Sequence, residues 1–115
     1  MQVLLDSLQS GITTMRLVGD LDMNEVTHFR AELEEAVRTA SRGVIVIMEE
    51  VGFIDSSGIA VLIEGLKWSQ KRAIPYVLAQ LTSGVQMVFE LARLENFFTL
   101  AETVDEAIAL VPSTP

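Results

Sequence analysis

The stretch Asp55-Ser56-Ser57-Gly58 places two adjacent hydroxyls behind a carboxylate, between two apolar segments. A serine hydroxyl in such a place can cap a helix, act as a nucleophile, or accept a phosphate from another protein. A helix start ordinarily requires a side chain that accepts a hydrogen bond from a backbone N–H of its first turn. On residue chemistry alone, Asp55 or Ser56 as a helix N-cap is therefore the favoured interpretation.

A hydrolytic role for these serines lacks the groups that it would need. A serine nucleophile requires a base to take its proton, and the strand-turn-helix pattern G-x-S-x-G is absent from the chain. The single histidine, His28, lies on a different predicted helix. We therefore predict no catalytic residues and no enzymatic activity.

Metal and nucleotide chemistry are disfavoured in the same way. With no cysteine and one histidine in the sequence, only carboxylates remain as metal ligands. Asp20 and Asp22 form one such pair, but turn and helix-cap chemistry explains them better. No G-x-x-x-x-G-K-[ST] or G-x-G-x-x-G loop is present. We expect no metal and no cofactor, and any phosphate on a serine would be added by another protein.

Phosphorylation is physically reasonable at this place in the sequence. A phosphate on one of the serines would lie at a helix N-terminus, where unpaired N–H groups and the helix dipole stabilise an anion. It would also add about −1.5 to −2 charges to the surface that a partner meets. A serine here can therefore control binding.

Composition and charge limit the kinds of partner. The chain has 115 residues, half of them hydrophobic, and a formal net charge of −8. That length fits one domain with its own core, and the acidic charge disfavours nucleic acid and anionic lipid. No apolar segment approaches the roughly 20 residues that span a bilayer, and the absence of cysteine is compatible with a reducing compartment. We expect a cytoplasmic, protein-binding domain that does not insert into membranes.

The elements that must position the serines follow from hydrophobic periodicity. Strands are predicted at Gln2–Leu8 and from Ile12 to Val18, joined by a turn at Ser10-Gly11. Apolar steps of three and four predict a helix over Asn24–Ala40. The continuous apolar run Val44–Met48 predicts a strand that is covered on both faces at the centre of the sheet.

The second half of the chain continues the alternation of helix and strand. A helix extends from the serines to Lys71-Arg72; its Trp68 is interpreted as a core residue, with a partner contact as the alternative. A strand follows at YVLAQ, then a helix capped by Thr82 or Ser83, a short strand at FFTLA, and a last helix with a capping box of Thr103 and Glu106. This order predicts an α/β fold with a mixed, mostly parallel sheet of four or five strands, an antiparallel first strand and about four helices. We expect one domain over residues 1–111 and a flexible tail at residues 112–115.

The serine motif, with its preceding apolar strand and the following IAVLIEGLKW, resembles the STAS domain of bacterial anti-sigma factor antagonists. The resemblance includes an upstream GDLD element at residues 19–22 and the segment VFELARL at residues 88–94. It extends from about Ile12 to Ala109, and the STAS fold that it implies agrees with the predicted order of elements.

The resemblance implies a partner-switching protein. Such an antagonist binds an anti-sigma factor that is also a serine kinase, and thereby frees a sigma factor. The kinase ends the interaction by phosphorylating the second serine of the motif, and a phosphatase would reset it. On this sequence the phosphoacceptor is Ser57, Ser56 and Gly58 shape the loop, and Asp22 and Asp55 belong to the partner-binding surface.

Two features keep a second function open. Many members of the family carry Asp or Asn where this chain has Ile47, in the strand before the motif and close enough to affect the serine loop. Similar domains also serve as small cytoplasmic subunits of bacterial phospholipid-transport ABC complexes, where they bind the ATPase. The sequence is compatible with both settings.

Overall fold

The fold is a five-stranded sheet with four helices, in a computed structural model that describes residues 1–8 and 10–112. The elements are β1 (Gln2–Ser7), β2 (Ile12–Val18), α1 (Val26–Thr39), β3 (Gly43–Glu50), α2 (Ser56–Arg72), β4 (Tyr76–Ala79), α3 (Ser83–Leu91), β5 (Thr99–Ala101) and α4 (Val104–Ala109). The strands follow one another in the order β1-β2-β3-β4-β5; β1 is antiparallel to β2, and the other pairs are parallel. The predicted fold class is confirmed.

Strand β3 is central and is covered on both faces, as its continuous apolar run predicted. Val44, Val46 and Met48 belong to the larger hydrophobic cluster, which includes residues of α1, α2 and α3. Ile45 and Ile47 belong to a smaller cluster with residues of α4. Because alternate side chains of a strand point to opposite faces, the sheet has an α1–α3 face and an α4 face.

The strand predicted at FFTLA is shorter than expected: β5 covers only Thr99–Ala101, because the Phe97 N–H closes a turn on the Leu94 carbonyl at 2.9 Å. Two other predicted boundaries that differ from the structure lie near the serines. Helix α1 begins at Val26 rather than Asn24, because Asp22 first makes a turn whose Oδ1 accepts from the Asn24 N–H at 3.0 Å. Strand β3 continues past Met48 to Glu50, which pairs with Val18 beyond an irregularity in the register. A charged end with exposed side chains gives a strand no apolar signal.

The remaining predicted caps are found, with one change in detail. Thr82 rather than Ser83 caps α3, and its hydroxyl also donates to the Val51 carbonyl at 2.8 Å. The Thr103 hydroxyl accepts from the Glu106 N–H at 3.0 Å. The Glu106 carboxylate accepts from the Glu102 N–H at 3.4 Å, whereas a capping box would have it accept from the Thr103 N–H.

The C-terminal end of the described chain still contributes to the core. Val111 is buried in the smaller cluster, and the Pro112 carbonyl accepts a hydrogen bond from Arg42. The rest of the predicted tail, residues 113–115, lies outside the described residues. None of the helices among the described residues has the length and apolar character needed to cross a membrane.

Candidate partner-binding site at the start of helix α2

Asp55 is the residue that caps helix α2. Its Oδ1 accepts hydrogen bonds from the backbone N–H groups of Ser57, at 3.0 Å, and Gly58, at 3.1 Å, and from the Ser57 hydroxyl at 2.5 Å. The hydroxyl bond first, and then the backbone bonds, lower the pKa of Asp55 below its ordinary value of 3.8. Of the two residues that the sequence offered as N-cap, Asp55 has this role and Ser56 begins the helix.

The second oxygen of Asp55 joins two loops, the serine loop (residues 53–58) and the GDLD loop (residues 19–23). Oδ2 accepts from the Met23 N–H at 3.1 Å. The Leu21 N–H donates to the Phe53 carbonyl at 2.9 Å, and the Asp55 N–H donates to the Leu21 carbonyl at 3.2 Å. The two loops are thus one hydrogen-bonded unit, and the neighbouring Asp22 lies in it, half-buried within its own turn.

The Ser57 hydroxyl is partly buried, and its proton points to Asp55. An ionised carboxylate can only accept, so the Ser57 hydroxyl donates to Asp55 and keeps its lone pairs for another group. Ser56 is exposed beside it. From the sequence, we expected unpaired backbone N–H groups at this helix start that could stabilise a phosphate. In the structure, the N–H groups of Ser57 and Gly58 already donate to Asp55.

Gly58 lets α2 begin against the GDLD loop. A Cβ at this position would lie 2.6 Å from the Leu21 carbonyl oxygen, 2.8 Å from Leu21 Cγ and 2.9 Å from Ile54 Cγ1. No side chain fits at those distances, so that glycine is required by close approach. The residue is buried and shapes the site without being part of its surface.

Two apolar residues at the site were missed by sequence reasoning. Met23 is 73% exposed and Phe53 is 51% exposed, one in each of the two joined loops. Single apolar residues in turns have no periodicity, so the only signal available was their size within otherwise polar segments. Contiguous exposed apolar area beside polar residues is typical of surfaces that bind other proteins.

Other residues singled out in the sequence lie away from this unit. Ile47 is buried on the α4 face, whereas α2 packs on the α1–α3 face. The expected influence of position 47 on the serine loop would therefore act through the sheet and not across a shared face. His28 is exposed on α1, and within residues 1–8 and 10–112 no three His, Asp or Glu side chains form a possible metal site.

The family assignment follows from comparison with known proteins. The model of the STAS domain matches residues 7–107. The protein therefore belongs to the STAS domain family, and the resemblance inferred from the motif is confirmed.

Solved structures with this fold include regulators and a transport protein. An anti-sigma factor antagonist from Mycobacterium paratuberculosis is 18% identical, with a TM-score of 0.86 over 96% of this chain and 92% of that chain. SpoIIAA, a Bacillus cell fate determinant, in its phosphorylated form, is 25% identical, with a TM-score of 0.72 over 94% and 97%. A sulfate transporter family protein from Wolinella succinogenes is 18% identical, with a TM-score of 0.72 over 86% and 83%.

Proposed function

We propose that this protein is an anti-sigma factor antagonist that binds a serine-kinase anti-sigma factor, frees a sigma factor, and is released when Ser57 is phosphorylated. The observation that carries the proposal is the Ser57 hydroxyl, held by Asp55 at the start of α2 within the residues that match the STAS domain. SpoIIAA, which shares the fold, occurs in an unphosphorylated and a phosphorylated form. We further propose that the protein acts in the cytoplasm and has no enzymatic activity.

The proposed docking surface consists of the two joined loops. Asp22, Asp55, Ser56, Ser57 and Gly58 form or shape its polar part. Met23 and Phe53 add exposed apolar area at its sides. Because apolar anchors with a polar surround are the usual composition of protein interfaces, a kinase that docks here would bring its ATP to Ser57.

Phosphoryl transfer needs little from this chain beyond orientation. The Ser57 oxygen attacks the γ-phosphorus of ATP, the bond from that phosphorus to ADP breaks, and the hydroxyl proton passes to a base. Asp55 is a poor base because its pKa is lowered. The kinase would therefore supply the base, while Asp55 directs the hydroxyl.

The phosphate would change the loops as well as their charge. It removes the donor that Ser57 gives to Asp55 and places about −1.5 to −2 charges next to that carboxylate. Repulsion would move Asp55 away from its donors, among them the Met23 N–H. A partner would meet new charge and a displaced Met23, and each 1.4 kcal/mol of lost contact lowers its affinity about tenfold.

Phosphate mapping with the cognate kinase tests the assignment. After incubation with the kinase and ATP, mass spectrometry should find phosphate on Ser57 alone. Ser57→Ala should abolish it, whereas the matched variant Ser56→Ala should leave it unchanged. Phosphate at other positions only, or none, would show that Ser57 is not the switch.

A charge-mimicking variant tests whether negative charge at position 57 is enough to weaken binding of the kinase, without any phosphate transfer. Ser57→Asp should give the circular dichroism of the wild type but bind the kinase more weakly in titration calorimetry, because it adds charge beside Asp55. Equal affinity of the two proteins would contradict control by charge at this position.

The second candidate function is that of a small STAS subunit that binds the ATPase of a phospholipid-transport ABC complex. The neighbour from the sulfate transporter family supports only the coarser point that this fold also occurs in a transport setting; the ATPase partner rests on the resemblance to such subunits. This function predicts that affinity purification from the native lysate recovers an ABC ATPase rather than an anti-sigma factor kinase. It also predicts that Ser57→Ala keeps the complex.

A further inference from the structure

Strand β1 (Gln2–Ser7) forms one edge of the sheet and exposes two leucines there. It pairs with β2, and within residues 1–8 and 10–112 no other strand lies along its outer side. Leu4 is 51% exposed and Leu5 is 44% exposed. Natural proteins protect such edges with lysine, proline, a β-bulge or a very short strand. β1 has neither lysine nor proline and keeps one register with β2 over six residues, whereas β5, at the opposite edge, has three residues. The edge of β1 is therefore open to another strand.

The hydrogen bonds of the hairpin show which backbone groups of β1 point outward. The Leu8 N–H donates to the Ile12 carbonyl at 2.8 Å, and the Leu8 carbonyl accepts from the Gly11 N–H at 2.9 Å. Because the backbone groups of successive strand residues alternate in direction, the even-numbered residues of β1 bond to β2 and the odd-numbered residues face outward. Val3 and Leu5 thus present their N–H and C=O groups at the edge.

The sequence of β1 is complementary to itself in one antiparallel register. With Leu4 on a two-fold axis, Leu4 of one copy faces Leu4 of the other, and each Val3 faces a Leu5. Each Gln2 faces an Asp6, so the amide can donate to the carboxylate. Val3 and Leu5 are also the residues whose backbone groups point outward, so each of these facing pairs exchanges both of its N–H···O=C bonds. Side chains and backbone therefore match in the same register.

Other arrangements of the two strands lose this match. If the antiparallel register shifts by one residue, the outward groups of one copy meet residues of the other that already bond to β2. If Val3 or Leu5 lies on the axis instead, Leu4 faces a polar residue, Gln2 or Asp6. A parallel pairing in register places Asp6 beside Asp6, and like charges in facing positions are destabilising. The edge therefore favours a second copy of this chain in one orientation.

We propose that two copies of this chain pair through β1 in this register and form a symmetric dimer with one continuous sheet. Such a two-fold contact uses the same surface on both copies, so it closes without further growth. β1 contains no residue of the serine loop or of the GDLD loop, so the dimer does not rest on the proposed function. Each copy has a net charge of −8; repulsion therefore opposes the dimer, and added salt should strengthen it by screening.

Sedimentation equilibrium of the full chain over a concentration series tests the proposal. The mean mass should rise from that of one chain toward that of two, and should not go beyond two. A chain that stays monomeric up to millimolar concentration would overturn the proposal and leave the edge to an extended segment of another protein. A dimer that weakens as salt is added would also contradict it, because ion pairs would then hold the two copies together.

Two variants with the same change of charge locate the contact. Leu4→Glu should weaken dimerisation about tenfold or more, because it places two carboxylates opposite each other at the axis. The new carboxylate faces Arg16 of β2 within its own chain, so folding should be retained. Leu91→Glu is the matched control, since Leu91 is 80% exposed on α3, and it should dimerise as the wild type does. Wild-type dimerisation of Leu4→Glu, or an equal loss in both variants, would contradict a contact through β1.

Single cysteines test the register, because the chain has none of its own. In Leu4→Cys the two Cα atoms would be about 4.5 Å apart, as in a pair without hydrogen bonds between its residues, which is within disulfide range. In Asp6→Cys they would be separated by four strand positions, about 13 Å, which is too far. After incubation with oxidised glutathione, non-reducing electrophoresis should show a cross-linked dimer of Leu4→Cys and only monomer of Asp6→Cys. Failure of Leu4→Cys to cross-link, or equal cross-linking of both variants, would overturn this pairing.

Discussion

Asp55 combines three tasks that the sequence could assign only in part. It caps α2, orients the Ser57 hydroxyl and joins the serine loop to Met23. The cap could be predicted, because a carboxylate before a helical stripe is a local signal. The bond to Met23 spans 32 positions of the chain, and no local pattern reports such a contact. The same reason explains why Met23 and Phe53 escaped prediction.

The stability of the protein should depend on the ionisation of Asp55 in acid. The pKa of Asp55 in the folded state is below 3.8, so folding favours the ionised form. The ionised Asp55 carboxylate therefore stabilises the folded state fully above pH 3.8, and this stabilisation is lost as the pH falls through the lower folded-state pKa. Urea midpoints of the wild type should fall over this acid range.

Asp55→Asn is the matched control, because asparagine caps helices about as well and does not titrate. The wild type should exceed the variant in urea midpoint above pH 3.8, and the difference should shrink below it. Parallel pH profiles for the two proteins would show that Asp55 does not supply this dependence. Ser56→Ala should follow the wild type, since Ser56 is exposed.

At the scale of elements, the alternation of helix and strand could be predicted and the contacts between elements could not. The apolar run of β3 and the stripes of α1 and α2 are signals within one element. Which cap residue is used, and how far β3 extends into Glu49 and Glu50, depends on neighbouring loops. The sequence also gave no sign that Ile47 and α2 lie on opposite faces.

Helix α2 touches its neighbours through two glycines that should differ in their effect on function. A Cβ at Gly58 would meet the Leu21 carbonyl at 2.6 Å, and one at Gly65 would meet Leu33 Cδ2 at 2.6 Å and the Tyr76 hydroxyl at 2.7 Å. Gly58→Ala and Gly65→Ala should each lower the free energy of unfolding by about 1–3 kcal/mol through overpacking. Chemical denaturation measures this.

Only Gly58→Ala should also impair kinase binding, because it separates α2 from the GDLD loop. Gly65→Ala, in the middle of α2, should bind the kinase normally under conditions where it is folded. Gly52→Ala is the neutral control, since a Cβ there has nothing within 4 Å. Wild-type kinase affinity in Gly58→Ala would argue against the joined loops as the docking surface.

At the scale of the whole molecule, one sheet serves two hydrophobic clusters. Strand β3 contributes alternate side chains to both, as β4 does through Leu78 and Val77. Neither cluster can lose its packing without disturbing the strands that support the other. We therefore propose that residues 1–111 form a single cooperative domain, the last buried side chain of the described chain being Val111.

A mutation on one face should consequently be detected on the other. Ile45 is fully buried on the α4 face, and Ile45→Val should cost about 0.5–1.5 kcal/mol. The single tryptophan, Trp68, packs against the larger cluster on the opposite face, as expected from its place on α2. In urea, Trp68 fluorescence and far-ultraviolet circular dichroism should shift to the same lower midpoint, because two-state unfolding makes all probes coincide. If circular dichroism shifted while fluorescence kept the wild-type midpoint, the two faces would unfold separately and the single-domain proposal would fail.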